Sequence, residues 1–328
     1  MTQPIWLAEA DVVSLLDLRQ AIGALEHGLA AEARGQAASM AKTHLAWDDN
    51  NLHAIGARLD DYVGTKTWAH TEGGTCPLLI LFDAKTGQLA AIIEAFALGQ
   101  LRTGGISGLA TDWMAKPGAK TMALVGTGKQ ALPQVAAVAV MRSLTELRVF
   151  SPRAESRQAF IERARTEFDF EITGCESVRE AVRGAEIVTL VTRARAPVLA
   201  ASMLEPGAHL NAVGAITPER EEFAQDVFGR VTAVAVDSLP AVQKLSKEFV
   251  DYYAGRGWDA VRPLSALITS GRRRQAADDL SLFKAMGTGV SDLSLGVELI
   301  ARARARGAGR PIPTPQKVKP RLAAKAAV

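Results

Sequence analysis

The stretch Thr121-Met122-Ala123-Leu124-Val125-Gly126-Thr127-Gly128-Lys129-Gln130-Ala131 decides the fold. Residues 122–125 form a short apolar run, a glycine follows at once, and residues 130–141 carry a helical pattern. Strand, glycine turn and helix in that order give the GxGxxA spacing of Gly126, Gly128 and Ala131 its physical meaning. Gly126 permits the tight turn, Gly128 lets backbone N–H groups approach a pyrophosphate, and Ala131 lets the helix sit close to its strand. Thr127, Lys129 and Gln130 complete the turn, and the N–H groups that open the helix favour phosphate charge. A glycine pattern by itself also suits a purely structural turn, so the flanking sequence decides between the two.

From about residue 121 to residue 236, short apolar runs alternate with helical stretches, as a parallel sheet with crossover helices requires. Candidate strands cover residues 122–125, 147–150, 170–172, 187–191, 210–213 and 233–236, with helices at 130–141 and 154–168. This predicts an α/β, doubly wound (Rossmann-like) domain that binds a nicotinamide dinucleotide. An acid at the end of the second strand would bind the adenosine ribose and repel a 2′-phosphate. Here the position reads Ser151-Pro152-Arg153, with Arg157 close behind, which favours NADP over NAD. The competing reading makes both arginines solvated residues at a helix start. Thr192, Asn211, Val213 and Gly214 end later strands and are candidates to line the nicotinamide pocket, although strand ends also attract small and polar residues for turns.

Residues 1–118 read as a separate α+β domain, with a helical stretch at 15–33 and a strand at 78–82 bounded by Asp83 and Thr86-Gly87. Lys116-Pro117-Gly118-Ala119-Lys120 breaks helical periodicity and serves as the linker. The dinucleotide domain then occupies residues 119–292. Residues 278–304 read as helical with a bend at Gly287 and Gly289, and the proline-bearing end after Pro311 reads as weakly ordered.

Composition narrows the function. Of 328 residues, 48% are hydrophobic and 22% charged, which fits a packed enzyme, and a net charge of +3 gives little support to nucleic-acid binding. Cys76 and Cys175 form no CxxC pair and share no zinc spacing with histidine, so both read as reduced packing residues and no metal is expected. The N-terminus lacks a basic leader and carries Glu9 and Asp11, so a cytoplasmic location is expected. The apolar run 89–98 is interrupted by Glu94 and is too short to span a bilayer, so no membrane role is expected.

Several separated motifs resemble the ornithine cyclodeaminase and mu-crystallin family. They are Val63-Gly64-Thr65-Lys66, Leu81-Phe82-Asp83-Ala84-Lys85-Thr86-Gly87, Leu101-Arg102-Thr103 and the glycine turn with Gln130-Ala131. Gly184-Ala185-Glu186-Ile187-Val188, Pro206-Gly207-Ala208-His209-Leu210-Asn211-Ala212-Val213-Gly214 and Leu282-Phe283-Lys284-Ala285-Met286-Gly287 follow in the family's order. The resemblance implies a homodimer whose first domain, joined by the C-terminal segment from about residue 293 to 328, binds substrate and builds the interface. It also implies chemistry on the α-carbon of amino or imino acids. Lys66 corresponds to the family lysine that contacts the substrate carboxylate or nitrogen. Arg102, with Thr103, corresponds to the family's RT motif, and a guanidinium fork suits a carboxylate. Gly287 is placed with the cofactor contacts.

Two departures shape the expected chemistry. Where many relatives carry a further arginine, this chain reads Ser39-Met40-Ala41-Lys42-Thr43-His44, so Lys42 supplies the charge without the planar fork. His44 and His70 are candidates for a donor near the site, set against packing or surface roles. Where cyclodeaminases carry an aspartate, the chain has Ile216, which cannot accept a proton; Asp237 or Glu219 is the alternative acid. The expected activity is NAD(P)H-dependent reduction of the C=N bond of an α-imino acid, either a cyclic ketimine or an iminosuccinate-type substrate. An amino-acid dehydrogenase or cyclodeaminase is the second reading, and a non-catalytic NADP-binding protein the third.

Overall fold

The computed structural model describes residues 3–322. The first domain begins with β1 (Ile5–Leu7), α1 (Glu9–Leu15) and α2 (Leu18–Ala33). The helical stretch expected at 15–33 is broken at Leu16-Asp17, because Asp17 caps α2: its carboxylate accepts from the Gln20 backbone at 2.8 Å while Gln20 Oε1 accepts from the Asp17 N–H at 3.1 Å. Then come β2 (Ala37–Ser39), β3 (Thr43–Trp47), β4 (Asn50–Leu59), β5 (Tyr62–Thr71), β6 (Gly74–Thr75), β7 (Leu78–Asp83) and β8 (Leu89–Glu94).

A long helix that the sequence reading did not single out, α3 (Phe96–Met114), leads into the second domain. Its glycines let two backbones meet, since a Cβ on Gly104 would lie 2.5 Å from the Pro133 carbonyl oxygen. The helix is therefore fixed against the start of the dinucleotide fold.

The second domain runs through β9 (Thr121–Val125), α4 (Ala131–Met141), β10 (Glu146–Phe150), α5 (Ala154–Glu167), β11 (Glu171–Gly174), α6 (Val178–Val182), β12 (Ile187–Leu190) and β13 (His209–Ala212). It continues with β14 (Val231–Val236), α7 (Leu239–Leu245), α8 (Lys247–Tyr253), β15 (Val261–Pro263), α9 (Leu264–Ser270) and β16 (Leu280–Lys284). All eight strands are parallel, in the order β11-β10-β9-β12-β13-β16-β14-β15. The chain winds outward from β9 through β10 to β11 and returns to β12, so the switch point lies between β9 and β12, where open α/β sheets bind ligands.

The helix expected over residues 278–304 does not begin there. Residues 280–284 are not helical; they form β16, inserted between β13 and β14. All five are buried, and a short apolar run carries no period that separates a covered strand from a buried helix.

The chain then returns to the first domain through α10 (Gly289–Arg306) and β17 (Arg310–Pro311). α10 lies across α2, β4 and β5. β17 pairs with β1, so Pro311 belongs to a sheet edge and only the residues beyond it lack regular structure; 323–328 lie outside the described residues. The first sheet runs β17-β1-β8-β7-β5-β4-β2, with β3 on β4 and β6 on β5. One apolar core joins this sheet to α2, α3 and α10, and two others cover the faces of the parallel sheet. Cys175 is buried as expected of a packing residue, whereas Cys76 is exposed. Among the described residues no helix is long and apolar enough to cross a membrane.

Candidate active site

β9 delivers Gly126 to the switch point. Its φ is +107°, and a Cβ there would lie 2.7 Å from the Val191 carbonyl oxygen, so only glycine fits. Gly128 behaves differently: nothing lies within 4 Å of a Cβ built on it. A phosphate therefore has room to approach the backbone of the turn. Ala131 is buried at the start of α4 in one core with Leu124 and Val135. The buried Oε1 of Gln130 has no hydrogen-bond partner among the described residues. Open backbone beside an orphaned acceptor is compatible with a dinucleotide, for which Thr127, Gly128 and Lys129 would be the phosphate contacts and Gln130 the acceptor of a hydroxyl or amide hydrogen.

At the end of β10, Ser151 is buried and Arg153 stands exposed as the residue preceding α5. Arg157 is not free to meet a phosphate, contrary to expectation, because its guanidinium donates to the Ser151 carbonyl at 3.0 Å and to Glu176. Only Arg153 remains available there.

Thr192 and Gly214 follow β12 and β13 and are fastened together by Glu222. This buried carboxylate accepts from the Thr192 N–H at 2.6 Å and hydroxyl at 2.9 Å, and from the N–H groups of Gly214 at 2.7 Å and Ala215 at 3.0 Å. A Cβ on Gly214 would fall 2.0 Å from the Thr192 carbonyl oxygen, so the two loops touch. Val213 is buried in the first domain's core, and its N–H is engaged by the Leu190 carbonyl at 2.9 Å. The buried Asn211 donates to Thr111 Oγ1 at 3.0 Å. Both therefore turn inward. Glu222 escaped the sequence reading because Glu219-Arg220-Glu221-Glu222 looks like a solvated run.

The cations meet within the first domain, on the side that faces the glycine turn. Lys66 sits in β5, paired with Ile55 and Leu79, and is 5% exposed. α10 starts directly over this strand pair, since a Cβ on Gly289 would lie 1.8 Å from the Gly56 carbonyl oxygen. Its first turn carries Asp292, fully buried. Lys66 Nζ donates to Asp292 Oδ1 at 2.5 Å, and Arg102 Nε, from α3, donates to the same oxygen at 3.2 Å. Asp292 Oδ2 has no partner among the described residues.

Burial favours the neutral acid at Asp292, yet the two cations together outweigh it and hold the carboxyl below its ordinary value. Burial pulls the Lys66 ammonium down to about 8; Asp292 opposes this, while Arg102 and Lys42 add repulsion. Lys42 is likewise lowered, by burial first and then by Arg102. The Lys42 and Lys66 ammonium groups lie 5.6 Å and 5.3 Å from the centre of the Trp68 ring.

Gly287 belongs to this cluster rather than to the glycine turn. Its φ is +87°, and Asp237 accepts its N–H at 2.7 Å and that of Met286 at 2.8 Å. With both oxygens engaged, Asp237 is committed to that loop, and Glu219 is exposed. Ile216 packs on the second domain's core. The carboxylate that does face the cations is Asp292. Its sequence signal was an acid set among apolar residues in the first turn of a helix, and nothing local tied it to Lys66, 226 residues away.

A cleft of roughly 190 Å³ joins the halves, lined by Lys66, Trp68, Arg102, Thr103, Lys129 and Gln130 among others. Thr103 Oγ1 donates to the Gly99 carbonyl at 2.8 Å, and the Thr103 carbonyl accepts from Gln134 Nε2 at 2.9 Å, which ties α3 to α4 beside the turn.

Residues 3–306 match the model of the Ornithine cyclodeaminase/mu-crystallin family. Delta(1)-pyrroline-2-carboxylate reductase of Bacillus cereus is 30% identical over 239 residues, 72% of this chain and 73% of that protein. Ketimine reductase mu-crystallin of Mus musculus is 30% identical over 215 residues, 66% of each chain. Among solved structures, Thermococcus litoralis Delta(1)-pyrroline-2-carboxylate reductase, in complex with NADH and L-proline, shares the fold with a TM-score of 0.87 at 23% identity, covering 94% of this chain and 100% of that one. A glycine turn facing a lysine and an arginine across one cleft is thus accompanied by a family match over almost the whole length, and the chain belongs to the ornithine cyclodeaminase/mu-crystallin family.

Proposed function

We propose that the protein is an NAD(P)H-dependent oxidoreductase that reduces the C=N bond of an α-imino acid to the amino acid. The observation that carries this reading is the single cleft in which Lys66 and Arg102 face Lys129 and Gln130 of the glycine turn. Arg102 uses Nε on Asp292, which leaves its two terminal nitrogens for a bidentate contact with the substrate carboxylate. Lys66 points its ammonium at the imine nitrogen. Reduction adds a hydride at the α-carbon and a proton at nitrogen; the nicotinamide, when bound, supplies the hydride. The proton comes from Lys66, whose ammonium, drawn down to about 8, gives it up far more readily than an ordinary lysine. Glu222 holds the Thr192 and Gly214 loops rigid along the edge where the ring would lie.

Ile216 supports reduction of a preformed imine over ring-forming deamination, since no carboxylate stands there to assist attack on it. Arg153 supports NADP as the preferred cofactor. For assembly, the outer face of the first sheet exposes Leu45, Leu52, Val63 and Phe82, with relative exposures of 64, 43, 39 and 36%. Such a face supports a homodimer in which two sheets pack back to back.

The test is a panel of cyclic and open-chain imines with NADPH and NADH, alongside ammonia release from ornithine, lysine and alanine. Oxidation of the reduced cofactor with a preformed imine is expected. Ammonia release without imine reduction would replace this reading with the cyclodeaminase one, and tight nucleotide binding with neither activity would replace it with a binding role.

A further inference from the structure

The motif Leu282-Phe283-Lys284-Ala285-Met286-Gly287 brings Gly287 to the substrate-side cluster, yet its lysine has no part in the cleft. Side chains alternate along β16: Phe283 packs in the first domain's core, while Leu280 and Leu282 pack in the core that Val242 and Phe249 complete. Lys284 therefore projects with the two leucines, between Ala212 of β13 and Val236 of β14, its partners in register. It is the one lysine or arginine among the described residues with 0% exposure. Its Nζ makes no hydrogen bond among the described residues, and the carboxylate it pairs with is that of Glu248 in α8, 3.6 Å away and equally buried. A buried ion pair seldom stabilises a fold better than apolar packing does, so the charge itself needs a reason.

Two carboxylates give that reason. Glu248 Oε1 accepts the Glu222 N–H at 3.0 Å and Oε2 the Ser246 hydroxyl at 2.9 Å, which places Glu248 behind the residue that fastens the Thr192 and Gly214 loops. On the other side, the Lys284 carbonyl accepts the Asp237 N–H at 3.2 Å, and Asp237 clamps the N–H groups of Met286 and Gly287.

Resting on the imine-reductase reading, we propose that Lys284 is a positioning residue, whose one buried charge serves Glu248, behind the nucleotide-side loops, and Asp237, behind the loop against which Arg102 rests.

The two carboxylates respond differently to its loss. Glu248 becomes a buried charge without a counter-ion, which disturbs Glu222 and the nucleotide side. Burial already draws Asp237 toward the neutral acid, opposed by its two N–H donors and then by Arg102 and Lys284, so losing Lys284 draws it further. The ionised form accepts on both oxygens; the acid gives one of them to its own proton and slackens the Gly287 loop. Substrate binding without Lys284 is therefore weakest at low pH and recovers as Asp237 ionises. The charged groups that bear on Asp237 are Lys284, Arg102 with its partner Asp292, and Glu32 of α2. Burial, then Asp237, raises Glu32 to about 7, and Glu32 is common to every variant compared.

The experiment measures both sides at about pH 6 and about pH 8.5. Calorimetry gives the Kd of NADPH and, on the nucleotide-loaded protein, that of whichever of L-proline, L-alanine and L-aspartate binds wild type most tightly; kinetics gives the KM of the imine turned over best. In Lys284→Met the amino-acid Kd and imine KM are expected to rise about tenfold over wild type at the lower pH and less than about threefold at the higher, with the NADPH Kd up about fivefold at both. Adding Glu248→Gln removes the stranded charge, so Lys284→Met/Glu248→Gln should regain the NADPH Kd and Tm of wild type while keeping the pH-dependent loss for substrate. No loss in the single variant, a substrate-side loss equal at both pH values, or a double variant that recovers everything overturns the proposal. If the single variant does not fold, the double variant decides by its substrate-side values. Wild type that reduces no imine, with the pH-dependent effect on amino-acid binding intact, would overturn the reductase reading and leave Lys284 in its role.

Discussion

A Cβ at position 287 would lie 2.9 Å from Nη1 of Arg102, so the side chain that Gly287 lacks is the space in which the guanidinium rests. The positive φ of this residue and the two N–H groups held by Asp237 fix that space in position.

Gly287→Ala is expected to push the guanidinium off its carboxylate-binding pose. Misplacing an orienting group costs on the order of 10- to 100-fold in kcat/KM, while the strained backbone costs only about 1 kcal/mol of stability. Steady-state kinetics and a denaturant melt on the same preparation check both. A variant with unchanged kcat/KM would remove Arg102 from the binding role.

Proton delivery by Lys66 predicts a pH limb. The ammonium is the competent form, so kcat/KM for imine reduction falls as pH rises through about 8. Asp292 raises the Lys66 value, so Asp292→Asn should move the limb to lower pH. The same substitution strips buried Lys66 and half-buried Arg102 of their counter-charge and should cost about 3 kcal/mol, read as a lower Tm. A limb that stays in place would show that another group supplies the proton.

Arg153→Ser is expected to raise the KM for NADPH about tenfold and leave that for NADH within twofold, because only the 2′-phosphate is lost as a contact. Arg157→Ala should behave as a stability mutation affecting both cofactors, since its guanidinium is spent on Ser151 and Glu176. Cofactor-dependent kinetics of the two variants separates these outcomes.

Glu222→Gln replaces a charged acceptor of four hydrogen bonds with a group that accepts on one oxygen only. Leaving buried N–H groups unmatched should cost about 2–3 kcal/mol and loosen both loops. Thermal melts and amide exchange at Thr192 and Gly214 measure this; unchanged protection would show that the loops are held by something else.

The parallel sheet was legible because its strands are separated by helices of regular period, and the glycine turn because Gly126 and Gly128 have distinct physical duties that the letters display. β16 was not, because a wholly buried pentapeptide shows no period that separates a covered strand from a buried helix. Lys66 and Arg102 could be singled out only through motif resemblance, since as isolated letters they read as surface cations. Asp292 and Glu222 act on partners distant in the chain, and burial among apolar neighbours gives their positions no local mark. Arg153 and Arg157 looked alike in sequence; only packing tells the free one from the engaged one.

The order in which the parts are made has a consequence. A protein leaves the ribosome from its N-terminus, and domains fold largely as units while synthesis proceeds. The first sheet gains its edge strand β17, beside β1, only after the rest of it has been made, and the helix bearing Asp292 is made almost as late. The strands and the glycine turn of the nucleotide cradle precede α10 in the chain and can fold before it is made, whereas the neighbouring pocket waits for it. Until α10 is made, Lys66 and Arg102 lack the one carboxylate that both of them pair with.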